Sequence, residues 1–192
     1  QISSWRNRLS AQRKDLKIAL EQVQQMATHD VLTGLYNRRF MQDRLEDAVK
    51  RFERYGERFT VVLIDLDHFK RANDQYGHKV GDQALMAFAN ACGIVLRETD
   101  IIARWGGEEF IFLLPNTAAE KALIALGRLR QTLATCTVSE NVPQLRVKFS
   151  SGVAVHDCVT SLTHTLERAD KALYEAKSSG RDRDVTAPPD KP

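Results

Sequence analysis

The order of strand and helix signals along the chain predicts an α+β fold built on an antiparallel-centred sheet. Residues 59–64 are apolar on both faces and rich in β-branched side chains, which is typical of a central, buried strand. Two short segments, 101–104 and 110–114, flank a Gly-Gly pair and predict a β-hairpin. Helical spacing follows the first strand and the hairpin. The predicted core therefore has the ferredoxin-like order βαββαβ, with helices on one face of the sheet and further flanking helices.

The first 28 residues carry a heptad stripe that predicts a long helix ahead of this core. The stripe has seven apolar members and consists of Ile2, Trp5, Leu9, Gln12, Leu16, Ala19, Val23 and Met26. Its narrow seam favours a parallel two-stranded coiled coil, and the alternative is an amphipathic helix that packs on its own domain. Residues 1–28 are accordingly interpreted as a helical linker through which two chains form a homodimer.

The remaining elements divide the rest of the chain into a domain and a tail. The predicted elements are helices at 40–52, 80–96, 118–134 and 161–178 and a strand at 146–155. Gly56 and Gly180 are the expected stops of the first and last of these helices. The domain is thus predicted to span residues 29–183, and the Pro-rich residues 184–192 are predicted to be a flexible tail.

The charge distribution argues against a nucleic-acid polymer as partner. The net charge of +3 comes from 28 basic and 25 acidic residues. Residues 1–28 contain five basic and two acidic residues, which accounts for the whole excess. A neutral body lacks the broad basic surface with which a protein covers a duplex.

Cysteine usage and hydropathy predict a cytoplasmic location. The three cysteines are odd in number and widely spaced, so neither a disulfide framework nor a zinc cluster is expected. The longest apolar run, from Ala84 to Ala89, has six residues, far short of the roughly 20 that a membrane span needs. No membrane contact is expected from this segment. The chain starts without Met or a signal peptide, which indicates part of a longer protein whose other segments could include a membrane anchor.

Two acids directly after the buried strand form the first candidate site. Asp65 and Asp67 flank Leu66, and burying such charges requires a partner. A hard divalent cation such as Mg²⁺ is one partner, since it takes carboxylate and carbonyl oxygens. Only one of the two acids is expected to face the ion. The alternative is that both acids cap a helix or a turn.

The predicted hairpin tip is the second candidate site. Gly106 and Gly107 permit positive φ and a close approach of the backbone to a bulky anion such as a triphosphate. Glu108 and Glu109 would repel phosphate unless a metal intervened, so one of them is expected to converge with Asp65 on the same ion. A tight turn with solvated acids is the alternative.

Seven sequence blocks occur in an order that resembles the GGDEF family of diguanylate cyclases. The blocks are residues 30–39, 65–70, 73–78, 81–82, 104–110, 150–154 and 169–181. The resemblance covers residues 29 to about 183, and Glu108 stands where the name-giving motif has Asp, which retains the carboxylate. It implies a cyclase-palm sheet on which two GTP-loaded domains meet and join two GTP into cyclic di-GMP and two pyrophosphates.

The resemblance also implies roles for the two acidic motifs. Asp65, the carbonyl of Leu66 and Glu108 match the ligands of Mg²⁺, for which Mn²⁺ is a possible substitute. Glu109 matches a second acid that assists metal binding or deprotonation of the 3′-hydroxyl. Gly106 and Gly107 match the hairpin against which the substrate lies.

Further positions match the nucleotide pocket of that family. Asn73 and Asp82 match a guanine-reading pair, and a carboxylate suits the N1-H and N2-H donors that guanine has and adenine lacks. Without the family, Asp82 could instead cap a helix beginning near Val80. The remaining pocket matches are Lys177 and Arg181, which would hold the terminal phosphates, and Phe69, Lys70 and Arg104, whose roles are less defined.

An Arg-x-x-Asp motif matches the family's product-inhibition site. Arg97 and Asp100 precede the hairpin, with five residues between Asp100 and Gly106. The resemblance implies that cyclic di-GMP binds at these two residues. Arg supplies planar bidentate donors and Asp accepts from a guanine edge. On its own the motif would be an ion pair at a helix end.

Two other classes of protein stay open at this point. A catalytically inactive receptor would keep the fold but lose signature acids or metal ligands, and those are present in this chain. A mononucleotide cyclase or a polymerase palm would share the sheet and the metal pair. The guanine-reading pair and the signature hairpin favour the diguanylate cyclase.

Overall fold

The computed structural model describes residues 2–158 and 160–189, with side chains from residue 12 onwards. The helices are α1 (Ile2–Thr28), α2 (Arg38–Tyr55), α3 (Phe69–Tyr76), α4 (His78–Val95), α5 (Ala119–Thr135) and α6 (Leu162–Ser178). The strands are β1 (Phe59–Leu66), β2 (Ile101–Arg104), β3 (Glu109–Pro115), β4 (Phe149–His156) and β5 (Asp184–Thr186). The α+β class and the βαββαβ order are confirmed.

The strands form one sheet in the order β2-β3-β1-β4-β5. The central strand β1 is antiparallel to both neighbours. Near its end, Asp65 lies opposite Glu109 of β3 on one side and Ser150 of β4 on the other. β2 and β3 form the predicted hairpin, in which Arg104 pairs with Phe110. The sheet therefore brings the end of β1 and the base of the signature hairpin together.

The start of the expected flexible tail is ordered, so that prediction was wrong for residues 184–186. These residues form β5, which pairs in parallel with β4, and Ala187 donates a further backbone hydrogen bond to Val153. Asp184 also accepts hydrogen bonds from Ser151 and Arg130. The sequence hid this strand because three residues are too few to show a period.

Helices cover both faces of the sheet, which corrects the expectation of a single covered face. Val62 and Ile64 of β1 pack into one buried cluster with residues of α4 and α5. Val61 and Leu63 pack into a second cluster with residues of α2 and α6. Alternate residues of β1 thus serve two cores, which explains why the strand is apolar on both faces.

Local signals explain most helix boundaries. Asn37 caps α2 by accepting from the Phe40 N–H, and Gly56 ends that helix in the left-handed region at φ 70°. Ser161 caps α6 in the same manner by accepting from the His164 N–H. The predicted strand at 146–155 begins later, at Phe149. The Arg146 guanidinium donates instead to the carbonyl of Ala134, in the last turn of α5, and to those of Pro143 and Leu145 in the following loop.

Helix α3 was not predicted. It has only eight residues and no buried one, and its apolar positions Phe69, Ala72 and Tyr76 are half-buried, so the pattern is too short to identify a helix from the sequence. Gly77, at φ 85°, ends α3 and begins α4, which starts two residues earlier than the predicted Val80. The positive φ of Gly77 lets the chain turn between the two helices, so that α3 and α4 pack against each other.

Helix α1 does not pack on the domain over its described side chains. Residues 12–27 are all exposed, and the stripe members Leu16, Val23 and Met26 are 71%, 63% and 73% exposed. The alternative of an amphipathic helix folded onto its own domain is therefore wrong for this part. Ile2, Trp5 and Leu9 lie outside the described side chains. In the described part of the chain, no helix combines the length and apolar character required to cross a bilayer.

Candidate active site

The site is centred on Asp65 at the end of β1. Its side chain is buried, with the residue 7% exposed, and its Oδ2 lies 2.8 Å from Nζ of Lys177. Lys177 comes from the last turn of α6, so the helix delivers the cation that compensates the buried carboxylate. The basic residue expected at phosphate thus lies directly beside the expected metal ligand.

The signature hairpin is joined to the end of β1 by its backbone. The N–H of Leu66 donates to the carbonyl of Glu108 at 3.2 Å. The N–H groups of Trp105 and Gly106 both donate to the carbonyl of Glu109, at 2.8 and 3.2 Å, and close the hairpin tip. These bonds fix Glu108 close to Asp65.

The hairpin glycines do not use the positive φ that the sequence permits. Neither Gly106 nor Gly107 adopts it, and the tip closes through backbone bonds to Glu109. Gly106 instead makes room for the Glu109 side chain, whose Oε2 would lie 2.6 Å from a Cβ at that position. Around Gly107 a Cβ would meet no described heavy atom within 4 Å.

The electrostatics of the site favour a bound cation. Burial raises the pKa of Glu108, and the neighbouring charges of Asp65 and Glu109 raise it further, while Lys177 opposes them. Among the described residues, no group of three or more His, Cys, Asp or Glu side chains could hold a metal ion. Two carboxylates and the Leu66 carbonyl still fit Mg²⁺, which commonly takes its other ligands from waters and substrate phosphates.

The two acids of the Asp65-Leu66-Asp67 motif have different surroundings. Asp67 accepts from Ser150 Oγ at 2.8 Å and from the N–H of Asp182 at 2.9 Å, whereas Asp65 faces Lys177. Asp67 is thus engaged by the loop between α6 and β5. This engagement leaves Asp65 as the acid of the motif that is available to an ion.

The predicted guanine-reading residues lie on the neighbouring helices α3 and α4. Asn73 Oδ1 is buried and, within the described chain, has no hydrogen-bond partner. A Cβ on Gly81 would lie 1.8 Å from this oxygen, so glycine lets the amide approach α4. Asp82 is exposed, and the N-cap of α4 is Gly77, so the capping alternative for Asp82 was wrong. An unsatisfied buried acceptor requires a donor, and guanine offers donors.

Three other predicted pocket residues have distinct environments. Phe69 is half-buried, packs against the core and lines a cavity of about 240 Å³ together with Tyr76 and Lys148. Lys70 is exposed. Arg104 donates to the carbonyls of Gly106 and Gly107 and to both oxygens of Asp30. Arg104 is therefore a clamp between the hairpin and the turn that follows α1.

Arg97 and Asp100 form a turn at the far end of α4. The N–H of Arg97 donates to Asp100 Oδ2 at 2.9 Å, so the expected alternative of a simple side-chain ion pair is not what the turn shows. Both residues line a cavity of about 240 Å³, to which α5 adds Lys121 and Arg128. Sequence reasoning missed these two cations, because only the packing of α5 on α4 reveals them.

The comparisons with known proteins agree with this fold and identify a family. The model of the family "Diguanylate cyclase, GGDEF domain" matches residues 27–183. The chain therefore belongs to the GGDEF-domain family of diguanylate cyclases.

Individual relatives support the assignment. Diguanylate cyclase DgcP of Pseudomonas aeruginosa is 43% identical over 164 residues, which cover 85% of this chain and 24% of DgcP. The crystal structure of the coiled coil and GGDEF domain of DgcB from Caulobacter crescentus, in complex with c-di-GMP, is 32% identical. It superposes with a TM-score of 0.86 over 97% of this chain and 99% of that one. The active GGEEF domain of a diguanylate cyclase from Vibrio cholerae is 32% identical, with a TM-score of 0.75 over 80% of this chain and 98% of that domain. The chain spans about a quarter of the length of DgcP.

Proposed function

We propose that this chain is a catalytic domain that condenses two GTP into cyclic di-GMP and two pyrophosphates. The observation that carries the proposal is the convergence of Asp65, Glu108 and Lys177 at the end of β1. The Vibrio cholerae domain described as active also has Glu in the first acidic position of the signature, as its name states, which supports activity with Glu108.

The residues of the chain divide the chemistry between binding and charge control. Asp65, the Leu66 carbonyl and Glu108 would hold Mg²⁺ or Mn²⁺, which when bound supplies positive charge to the triphosphate and the attacking oxygen. Lys177 and Arg181 add fixed positive charge for the terminal phosphates. Glu109 lies beside Glu108, and its carboxylate is the available general base to take the proton of the 3′-hydroxyl.

Guanine selectivity is assigned to α3 and α4. Asn73 supplies an unpaired amide oxygen, and Asp82 supplies an exposed carboxylate one residue after Gly81. Both accept hydrogen bonds, which suits the donors of guanine. Adenine lacks the N1-H and N2-H donors of guanine and so fits these two acceptors less well, which makes GTP the expected substrate.

A product assay with two acidic variants tests the activity. We expect the parent to convert GTP to cyclic di-GMP only with Mg²⁺ or Mn²⁺, and Asp65→Ala and Glu108→Ala each to lower the rate by at least about 100-fold, as loss of a group that stabilises transition-state charge commonly does. Glu53→Ala removes an exposed acid of α2 and should leave the rate unchanged. Mass analysis of products identifies cyclic di-GMP. Undiminished synthesis by either acidic variant would contradict the metal assignment.

The same assay separates the competing classes. A receptor would bind cyclic di-GMP and form no product from GTP. A mononucleotide cyclase would release a cyclic monophosphate. Either result would replace the proposed function.

Product inhibition is assigned to the cavity between α4 and α5. Arg97 and Asp100 line it, and Lys121 and Arg128 add the positive charge that a cyclic dinucleotide with two phosphates needs. Added cyclic di-GMP should inhibit the parent, and Arg97→Ala should raise the inhibitory concentration about tenfold or more without changing the initial rate at low product. Equal inhibition of parent and variant would show that cyclic di-GMP does not inhibit through this cavity.

The proposed reaction needs two domains, since each would hold one GTP. The stripe of α1, which is exposed from Gln12 onwards, is proposed to hold the two copies together as a homodimer, in line with the coiled coil that the DgcB structure includes. Because the proposed reaction consumes GTP, we expect this domain to work in the cytoplasm, where GTP is available.

A further inference from the structure

The loop between α6 and β5 carries Arg181 in an unusual backbone conformation. Gly180, Arg181 and Asp182 have φ values of 113°, 63° and 49°. Arg181 and Asp182 are two consecutive non-glycine residues in the left-handed region, where their side chains make the backbone conformation unfavourable. Such a conformation persists only where the surroundings hold it.

Arg130 of α5 binds this loop and the strand that follows it. Its guanidinium lies 2.6 Å from Asp182 Oδ1 and 2.6 Å from Asp184 Oδ1, and it donates to the Phe149 carbonyl at 2.9 Å. The same group stacks on the Phe149 ring at 4.2 Å from its centre. The Arg130 side chain is 27% exposed, so these bonds form largely away from solvent.

Asp182 is held from two further directions. Lys148 Nζ lies 3.0 Å from Asp182 Oδ2, and the Asp182 N–H donates to Asp67 Oδ2 at 2.9 Å. Burial alone would raise the pKa of Asp182, but the bonds from Lys148 and Arg130 outweigh it and lower the pKa. Asp67 is in turn fixed by Ser150 Oγ.

These contacts connect the loop to the metal end of β1. Asp67 follows directly after Asp65 and Leu66, and its carboxylate binds the residue directly after Arg181. The Arg181 N–H donates to the Ala176 carbonyl at 3.0 Å, in the last turn of the helix that carries Lys177. Among the described residues, the Arg181 guanidinium itself has no ion-pair partner, so its place depends on the backbone.

We propose that Arg130, Asp182 and Asp67 are positioning residues that hold Arg181 beside the metal ligands, where it meets the terminal phosphates of the substrate. This inference rests on the proposed function, and specifically on the phosphate-binding role of Arg181. The salt-bridge network of Arg130 thus serves substrate binding, although α5 supplies no predicted residue to the nucleotide site.

Nucleotide binding with and without terminal phosphates tests the inference. The probes are a non-hydrolysable GTP analogue and GMP, each titrated with Mg²⁺ into the full chain. Arg130→Ala and Asp182→Ala should each weaken binding of the analogue about tenfold, since a charge-assisted contact is lost, and leave GMP binding within about twofold. In turnover, the KM for GTP should rise in both variants.

Conservative variants separate positioning from general stability. Asp182→Asn keeps tolerance of the left-handed region and an acceptor for Arg130, so it should retain most of the affinity. Arg130→Lys keeps the charge but cannot bind both carboxylates in a fork, so it should behave like Arg130→Ala while staying folded. Lys171→Ala, an exposed cation of α6, is the matched control and should bind both probes as the parent does.

A double variant identifies Arg181 as the group that is positioned. Arg181→Ala should lose analogue affinity, and Arg130→Ala added to it should cause little further loss, because both act through one contact. If Arg181→Ala weakens analogue binding but Arg130→Lys and Asp182→Ala do not, the inference fails and the proposed function stands. Equal loss of GMP and analogue binding would show a structural role only. A parent that binds neither probe would overturn both proposals.

Discussion

At the scale of single residues, the site places three acidic side chains close together, those of Asp65, Glu108 and Glu109. Asp65 is neutralised by Lys177 at 2.8 Å, whereas Glu108 has no such partner among the described residues and its pKa is raised by burial and by Asp65 and Glu109. The metal-free fold therefore carries an unfavourable charge at Glu108, and the site accepts a cation readily because that cation removes the repulsion.

The raised pKa of Glu108 predicts a stability effect that depends on pH. A carboxyl whose pKa is higher in the folded state destabilises the fold once pH rises above its ordinary range. Glu108→Gln should therefore raise the metal-free melting temperature at neutral pH, by about 1 to 2 °C, since solvent screening keeps such effects below ~1 kcal/mol. This gain should disappear as pH falls through the pKa of Glu108. Thermal unfolding between pH 4 and 8 measures it, and an equal gain at all pH values would rule out charge repulsion as the cause.

At the scale of elements, the site depends on how closely α6 lies on the sheet. Gly152 of β4 faces this helix, and a Cβ there would lie 2.0 Å from the Ala169 carbonyl and 2.3 Å from the Leu173 nitrogen. Both atoms belong to the helix backbone and cannot rotate away. The glycine therefore allows α6 to pack close to the sheet. This short distance in turn allows Lys177 to contact Asp65.

Gly152→Ala should displace α6 and harm both stability and activity. We expect a loss of about 2 to 4 kcal/mol in the free energy of unfolding, typical of overpacking against fixed backbone. Chemical denaturation measures this loss. Gly127→Ala on α5 is the matched control: no described heavy atom lies within 4 Å of that Cβ, so it should be neutral or slightly stabilising. Equal behaviour of the two variants would show that the close contact at Gly152 is tolerated.

At the scale of the whole molecule, one domain holds half of the proposed reaction. The stripe of helix α1 is exposed from Gln12 onwards, where its side chains are described. The turn that follows the helix is tied to the hairpin through Asp30 and Arg104. Burial raises the pKa of Asp30, but bonds from Thr33 and the Arg104 charge outweigh it and lower the pKa. The turn that follows the linker helix is thus ion-paired with the base of the signature hairpin, so pairing of two linkers would bring two such hairpins near each other.

Tethering through α1 predicts activity that depends on protein concentration. A coiled coil of few apolar layers is a weak dimer, and linking two domains raises their effective concentration toward the millimolar range. Specific activity of the parent should therefore rise with protein concentration. Leu16→Asp with Val23→Asp should lower activity at dilute concentration by about tenfold or more, without changing GTP affinity.

Control variants and sedimentation complete this test. Gln24→Asp with Gln25→Asp adds the same two negative charges at exposed positions off the stripe and should keep the parent's activity. Analytical ultracentrifugation reports the dimer directly. Full activity of the Leu16 and Val23 double variant at dilute concentration would show that α1 does not pair through this stripe.

The sequence predicted much of the fold because its strongest patterns are local. The buried run of β1, the Gly-Gly hairpin and the helical stripes each depend on neighbours within a few residues, and each appears where it was expected. Elements without a buried stripe or of very short length, α3 and β5, were missed for the same reason. The motif blocks identified the family because residue type and order alone define them.

Only the tertiary structure decided which charges meet. The pairing of Lys177 with Asp65, of Arg104 with Asp30 and of Arg130 with Asp182 joins residues far apart in the chain. No periodicity records such pairs, because they depend on how helices from different parts of the chain lie on one sheet. The amino-acid sequence by itself therefore determined the family, the order of the core elements and the chemical types at the site. The packing of α5 and α6 decided which of those groups hold one another in place.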